Sequence, residues 1–304
     1  TSQKPKQVLD AMDEFYRNSN ANVMRSTNSL GLEATGIYHG ARNRVAEMIG
    51  ASPKEVIFTR GTTEGLNVLA RILTKKYVCS GGKVITSILE HHSNILPWRS
   101  SVSVVGAKLA VLPANRSWTM DLDRLEAELS DGADIVTTLH VSNVLGTINP
   151  VKEICRLAHD HGALVVLDSA QGVPHMPVDV KEIDVDFMVF SSHKMLGPTG
   201  VGVLYGKQSH LEDLEPWELG GGMVKSVTAD EVSYEDLPTR LEAGTPNIAG
   251  VIGLAAAVDY LQDIGMQSIV DHERRLLRHA FEVLPKEILE LYGPTEAYSH
   301  SGML

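Results

Sequence analysis

Short apolar runs alternate with amphipathic stretches from about residue 52 onward. The runs are rich in valine and isoleucine, as strands buried on both faces should be. They lie at Glu55–Thr59, Lys83–Ser87, Lys108–Pro113, Ile135–Val141, Ala163–Asp168, Phe187–Ser191 and Gly200–Tyr205. Several gaps between them have helical periodicity, and one such stretch has Pro150 in its first turn with Val151, Ile154, Cys155 and Ala158 on one face. This alternation predicts an α/β fold with a mainly parallel seven-stranded sheet flanked by helices.

The two ends of the chain have a different pattern. Residues 1–50 are mainly helical with a polar loop around Arg25–Gly36, and Ile248–Leu284 has the periodicity of one or two long helices. We therefore predict an N-terminal helical segment (1–50) that contributes to a small domain. A large α/β domain (51–246) follows, and then long helices (247–304) that begin a C-terminal small domain. A new apolar run begins at the last residues, so we expect that small domain to be cut short.

Composition and charge exclude several classes of protein. The 304 residues carry 27 Lys and Arg against 38 Asp and Glu, a net charge of −11, which disfavours general nucleic-acid binding. Hydrophobic residues make up 43% of the chain, enough for a substantial core. The first residues are polar and no apolar run approaches the roughly 20 residues of a membrane span, so we expect neither a signal peptide nor membrane insertion. Two cysteines exclude a disulfide framework and favour a reducing, cytoplasmic location.

A candidate anion site follows the first predicted strand. The segment Arg60–Gly65 (RGTTEG) places a glycine and two hydroxyl residues, Thr62 and Thr63, at the start of a helix. Helix N–H groups and the helix dipole both favour a phosphate there. The spacing matches neither a Walker loop nor a dinucleotide fingerprint, and a plain threonine N-cap is the other interpretation of the same residues.

Two adjacent histidines, His91 and His92, follow the second predicted strand. Neighbouring residues of a helix point in different directions, so one metal ion is not easily bound by both, and we predict no metal site. A histidine that stacks on a ligand or acts in acid–base chemistry is the favoured interpretation of His91.

Charged side chains follow two later strands. Asp168 ends one strand, and Ser191, His193 and Lys194 follow another. A surface charge is the ordinary explanation of a single lysine, but here a phosphate cradle, an aspartate, a histidine and a lysine all come at carboxyl ends of successive strands. Pyridoxal phosphate needs an amine for its aldehyde, an anion site for its phosphate and a carboxylate for its pyridinium nitrogen. The pattern therefore predicts pyridoxal 5′-phosphate as cofactor.

At these residues the sequence resembles the class V aminotransferase family of fold type I pyridoxal-phosphate enzymes, and within it the group II (SUF-type) cysteine desulfurases. The similar segments extend across most of the chain in the family's order. They are RGTTEG (60–65), EHHSNILPW (90–98), HVSNVLGTINP (140–150), LDSAQGVPH (167–175), SSHKMLGPTGVGVLYGK (191–207) and RLEAGTPNIAGVIGL (240–254).

The resemblance implies a role for each candidate residue. Lys194 is the Schiff-base lysine and moves the substrate's α-proton, and His91 stacks on the ring. Asp168 pairs with the pyridinium nitrogen, while Gln171 and Asn143 contact the ring hydroxyl region. The implied phosphate ligands are Thr63, Ser191 and His193, with backbone N–H groups of the turn at 61–63 that includes Thr62, and Thr245 from the neighbouring subunit of a homodimer. The Gly220–Gly222 stretch resembles the group's mobile hairpin region.

The implied reaction removes sulfur from L-cysteine, gives L-alanine and leaves a persulfide on an enzyme cysteine. A carrier protein then accepts the sulfur for iron–sulfur cluster assembly. The chain departs from the family in one respect: neither Cys79 nor Cys155 matches the family's nucleophilic cysteine, and no match to its loop or to the substrate-carboxylate arginine is found. We expect both cysteines to be bystanders, and turnover by these 304 residues is open.

Other functions also fit the same residues. A selenocysteine lyase, acting on L-selenocysteine, or another aminotransferase-type enzyme of the family would share Lys194 and Asp168. A non-catalytic cofactor-binding or partner-binding scaffold is the alternative from another class, and a nucleotide-binding protein is disfavoured because the fingerprints are absent.

Overall fold

The chain forms α/β structure with short strands and longer helices. The structure is a computed structural model that describes residues 1–24, 27–285 and 288–302. Its helices are α1 (Lys6–Glu14), α2 (Ser29–Met48), α3 (Thr62–Tyr77), α4 (Leu96–Val105), α5 (Leu122–Ser130), α6 (Val151–Asp160), α7 (Val180–Ile183), α8 (Gln208–Asp213), α9 (Ile248–Ile264) and α10 (Met266–Val283). Its strands are β1 (Val56–Thr59), β2 (Lys83–Ser87), β3 (Lys108–Leu112), β4 (Ile135–Leu139), β5 (Leu164–Asp168), β6 (Phe187–Ser191), β7 (Gly202–Gly206), β8 (Val224–Val227) and β9 (Val232–Tyr234).

Seven strands form one sheet in the order β1-β7-β6-β5-β4-β2-β3. Parallel pairing joins β2 to β3, β2 to β4 and β4 to β5, while β1 pairs with β7 in antiparallel fashion. The predicted α/β fold with a mainly parallel seven-stranded sheet is confirmed. Every apolar run of the sequence became a strand of this sheet because valine and isoleucine fill positions that are buried on both faces. Burial is less complete in β3 at the sheet's edge, where Lys108 and Val111 are exposed.

The described residues group into two compact units. Unit 1 comprises Thr1–Gly65 with Val189–Asp263, and unit 2 comprises Leu66–Met188 with Ile264–Leu304. The core of unit 1 includes buried side chains of α2, β1, β7 and α9, among them Tyr38, Ile57 and Leu254. The core of unit 2 includes Ile85, Trp98, Val136 and Val166. The sequence-based division at residues 50 and 246 stays a prediction.

The helical predictions hold for most elements. Helix α6 follows Pro150 and buries the predicted face, and the long C-terminal pattern is two helices, α9 and α10. The polar loop expected around Arg25–Gly36 is wrong from residue 29 onward. The Asn28 side chain accepts a hydrogen bond from the Gly31 N–H at 2.8 Å and caps α2, which then continues through Gly36. Arg25 and Ser26 lie outside the described residues.

No single helix in the described ranges is both long and apolar enough to cross a membrane. One broken pair, Ile248–Ile264 with Met266–Val283, would pass a test of length and composition alone.

Candidate functional site

The segment that is predicted to bind an anion lies in unit 1, where β1 leads into α3. The Thr62 N–H and the Thr62 hydroxyl both contact Ser191 Oγ, at 2.8 and 2.7 Å, so the helix start is tied to the end of β6. Gly61 has a φ of 153°, a conformation that favours glycine. A Cβ on Gly202 would lie 2.4 Å from the Gly61 Cα, so this close approach of two backbones needs glycine. Thr63, on the same first turn, is exposed.

The lysine and histidine that follow β6 lie in one turn of 3₁₀ helix, Ser192–Lys194. Thr1 and Ser2 contact this turn, since the Ser2 N–H donates to the His193 carbonyl at 2.9 Å and the Thr1 hydroxyl lies 2.9 Å from His193 Nδ1. Burial lowers the pKa of His193, and the positive charges of Lys194 and Lys4 lower it further. The His193 imidazole is therefore biased towards its neutral form beside a cationic lysine.

Backbone strain is stored beside the lysine. Leu196 has a φ of 68°, a left-handed conformation that is costly for a bulky side chain. The Leu196 N–H donates to Ser2 Oγ at 2.9 Å, and the Gly197 N–H donates to the Ser192 carbonyl at 3.0 Å. These bonds hold a tight bend directly after Lys194 and so fix the course of the backbone on the C-terminal side of the lysine.

A buried ion pair anchors the segment that carries Thr245. Glu242 accepts from Arg42 Nη1 and Nη2 at 2.8 and 2.7 Å, and from the Phe58 N–H at 2.6 Å. The side chains of Arg42 and Glu242 are only 2% and 8% exposed. Thr245 itself is exposed, and the Gly244 N–H donates to the Gly221 carbonyl at 2.7 Å. The predicted hairpin region near Gly220–Gly222 thus touches this segment and leads into the two-stranded β8–β9 hairpin.

In unit 2 the predicted aspartate ends β5. Asp168 is 5% exposed, and its Oδ1 accepts from the Ala170 N–H at 3.0 Å. Its backbone carbonyl accepts from the His140 N–H at 2.8 Å, which joins the end of β5 to the segment after β4. His140 is buried, its Nδ1 lies 3.0 Å from Ser169 Oγ, and burial lowers the pKa of this imidazole to about 4. Gln171 follows in the same turn and is half-buried.

A polar cluster lies behind His91 at the end of β2. Oε1 of Glu90 is 2.6 Å from Ser87 Oγ, and Oε2 accepts from Asn94 Nδ2 at 2.6 Å. Asn94 Oδ1 in turn accepts from Trp98 Nε1 at 3.1 Å and from the Thr137 hydroxyl at 2.7 Å. Burial raises the pKa of Glu90 to about 8. A neutral carboxyl group therefore supports the turn that carries His91.

His91 and Asn143 meet at one cavity of unit 2. The cavity measures about 380 Å³ and is lined by Ile88–His92 and Ser142–Leu145. His91 is exposed, and its Nδ1 accepts from the Ser93 N–H at 3.1 Å, which orients the ring. Two of the four predicted ring contacts thus line the same opening, while Asp168 and Gln171 are not among its lining residues.

The two cysteines lie in different surroundings. Cys155 is 1% exposed on the inner face of α6, as predicted, and Cys79 is exposed in the loop after α3. Among the described residues, no group of three or more His, Cys, Asp or Glu side chains could hold a metal ion.

Sequence reasoning missed three residues that organise the site. It noted Glu90 only as the start of a motif, and it did not single out the Arg42–Glu242 pair. A carboxylate directly before a histidine in an otherwise apolar strand end is a signal that could have drawn attention to Glu90. The Arg42–Glu242 pair spans 200 residues of sequence and left no local signal.

The chain is similar to known proteins over nearly its whole length. The Aminotransferase class-V family model matches residues 1–304. A probable cysteine desulfurase from Halalkalibacterium halodurans is 47% identical over 97% of this chain and 73% of its own. A cysteine desulfurase from Escherichia coli (strain SE11) is 44% identical over 97% of this chain and 73% of its own. The apo structure of a cysteine desulfurase from Thermococcus onnurineus NA1 matches with a TM-score of 0.95 at 40% identity, over 99% of this chain and 75% of that one. By sequence and by fold, the chain belongs to the class-V aminotransferase family.

Proposed function

We propose that the chain is a pyridoxal-phosphate-dependent cysteine desulfurase, which removes sulfur from L-cysteine and gives L-alanine. Relatives with this name cover 97% of the chain at 44–47% identity. The observation that carries the proposal is the position of Lys194 in the turn that directly follows Ser191. The Ser191 hydroxyl accepts a hydrogen bond from the Thr62 N–H at the start of α3.

Unit 1 supplies the proposed phosphate ligands and the lysine. The cradle fits a phosphate because Gly61 has no side chain, and a Cβ there would lie 3.3 Å from Ser191 Oγ. Thr62, Thr63, Ser191 and His193 would hold the phosphate, with the N-terminal dipole of α3 adding to the attraction. A neutral His193 would donate one ring N–H without adding a second charge beside Lys194.

Unit 2 supplies the proposed ring contacts. The buried Asp168 carboxylate would pair with the pyridinium nitrogen, a charge-assisted hydrogen bond of about 1.5–3 kcal/mol. His91 would stack on the ring face, and Asn143 and Gln171 would contact the ring hydroxyl region.

The cofactor, when bound, supplies an electron sink for the carbanion that forms at the substrate's α-carbon. Lys194 holds and moves the proton at that carbon. A thiolate then attacks the sulfur of the substrate, a new S–S bond forms, and the Cβ–S bond breaks with its electron pair left on the substrate carbons. A proton added to Cβ and a proton returned to Cα complete alanine. Cys155 is buried and Cys79 lies in a loop after α3, and we assign neither as this thiolate.

The wider assignments follow from family membership. We propose a homodimer in which Thr245 reaches the phosphate of the neighbouring subunit, a carrier protein that accepts the sulfur, and a role in iron–sulfur cluster assembly in the cytoplasm. The exposure of Thr245 on a segment anchored by the Arg42–Glu242 pair supports the proposed reach.

The test is the product balance from L-cysteine. With pyridoxal phosphate and a thiol reductant, which can itself supply the attacking thiolate, we expect alanine and sulfide in equal amounts, and Lys194→Ala should abolish both. Transfer of the amino group to a 2-oxo acid without sulfide would identify an aminotransferase. Release of selenide from L-selenocysteine without sulfide from L-cysteine would identify a selenocysteine lyase. Either result would refute the desulfurase assignment.

A further inference from the structure

We propose that Glu90 is a positioning residue, which holds His91 in the orientation needed to stack on the cofactor ring. The role of His91 rests on the proposed function. The structural part, that the Glu90 carboxyl fixes the turn carrying His91, rests on contacts within unit 2 alone.

The Glu90 carboxyl joins both ends of the turn. Ser87 is the last residue of β2, and Asn94 closes the 3₁₀ turn His92–Asn94, so the contacts of Glu90 with both residues close a loop around His91. Ser87 Oγ also accepts from the Leu89 N–H at 3.2 Å, which orders the residue before Glu90. The exposed His91 is therefore supported from beneath by a buried group.

The same carboxyl connects the turn to the neighbouring strand. The Thr138 hydroxyl lies 3.4 Å from Glu90 Oε1, and Asn94 Oδ1 receives the Thr137 hydroxyl at 2.7 Å. Thr137 and Thr138 are fully buried in β4. The turn that carries His91 is thus connected by hydrogen bonds to the buried centre of unit 2, which supports it better than a free loop would.

Burial favours a neutral acid at Glu90 and raises its pKa. The hydrogen bonds of Glu90 with hydroxyl, amide and backbone groups act in the opposite direction, but burial outweighs them, and the nearby Asp168 carboxylate also opposes a second negative charge. Glutamine has the shape of the neutral acid, and its amide NH₂ can donate to the Ser87 and Thr138 hydroxyls, which accept as well as donate. Alanine leaves the Asn94 amide without its partner.

The experiment compares Glu90→Ala, Glu90→Gln and wild type, first without cofactor. The ring resonances of His91 are assigned in the NMR spectrum by their loss in His91→Gln. We expect Glu90→Ala to broaden and shift the His91 signals and Glu90→Gln to restore them. With cofactor added, Glu90→Ala should bind pyridoxal phosphate about two- to tenfold more weakly and lose part of its induced circular dichroism. Glu90→Gln should behave as wild type.

Asp186→Ala is the matched control. Asp186 is also a buried carboxylate of unit 2, and it accepts from the Val165 N–H at 2.8 Å. The Asp186→Ala substitution should destabilise the fold and leave the His91 signals unchanged. Ser87→Ala is a milder variant that removes one anchor, and it gives the same test if Glu90→Ala does not fold.

The outcomes separate the two claims. Unchanged His91 signals in Glu90→Ala and Ser87→Ala, or equal changes in Asp186→Ala, would overturn the positioning role. Changed His91 signals in a protein whose wild type binds no pyridoxal phosphate would uphold the positioning role and refute the proposed function.

Discussion

The neutral state of Glu90 predicts an unusual loss of stability at mildly alkaline pH. The pKa of Glu90 is raised from 4.5 to about 8 in the folded protein. Between these values the folded state keeps a proton that the unfolded state has lost, so the free energy of unfolding falls as pH rises. The contribution is fully present below pH 4.5 and is lost as pH rises through about 8.

The magnitude follows from the width of the shift. Each pH unit within the window is worth about 1.4 kcal/mol. From pH 6.5 to pH 8, where Glu90 is half-titrated in the folded state, the loss is about 1.5 kcal/mol. A comparison below pH 6.5 is less informative because of His140, whose pKa is lowered from 6.5 to about 4 in the folded protein. In that range His140 makes the free energy of unfolding rise with pH, which opposes the effect of Glu90.

The assay is urea unfolding of the apoprotein at pH 6.5 and pH 8, followed by tryptophan fluorescence. Trp98 is fully buried and donates to Asn94, so its emission reports on this cluster. Wild type should lose about 1.5 kcal/mol more than Glu90→Gln over this interval. The exposed Glu47→Gln should keep the wild-type slope. Equal slopes in wild type and Glu90→Gln would refute a neutral Glu90.

Three further changes test other parts of the structure. Gly202→Ala places a Cβ 2.4 Å from the Gly61 Cα, so it should cost about 1–3 kcal/mol in urea unfolding and weaken pyridoxal-phosphate binding in titrations. Gly36→Ala, where a Cβ meets nothing within 4 Å in an exposed part of α2, should instead raise the unfolding free energy by about 1 kcal/mol. Glu242→Gln leaves the Arg42 charge buried and should cost about 3–5 kcal/mol, and the double replacement of both residues by methionine should cost less in the same assay.

The strands of the sheet were predictable because their residues carry the signal locally. Runs such as Phe187–Ser191 are apolar up to their final serine, as a strand buried on both faces requires. The antiparallel pairing of β1 with β7 was not predictable, since alternation of elements does not say which strands pair in antiparallel fashion. The start of α2 was missed because a single capping residue, Asn28, outweighs the polar composition that follows it.

The candidate site was predicted as a set of residue types, and the structure adds the contacts between them. Thr62 and Ser191 are 129 residues apart, and no local pattern indicates that their side chains meet. Glu90 contacts Thr138 of β4, so its burial follows from the fold and not from its neighbours in sequence. Lys194 and Asp168 were found because strand ends are the positions where α/β folds place their chemistry.

Borohydride reduction tests the central claim most directly. The protein is incubated with pyridoxal phosphate, reduced and digested, and the modified peptide is identified by mass spectrometry. The account predicts a single adduct on Lys194, within the peptide that also carries Ser191 and His193, and none in Lys194→Ala. An adduct on a different lysine, or no specific adduct in wild type, would contradict it.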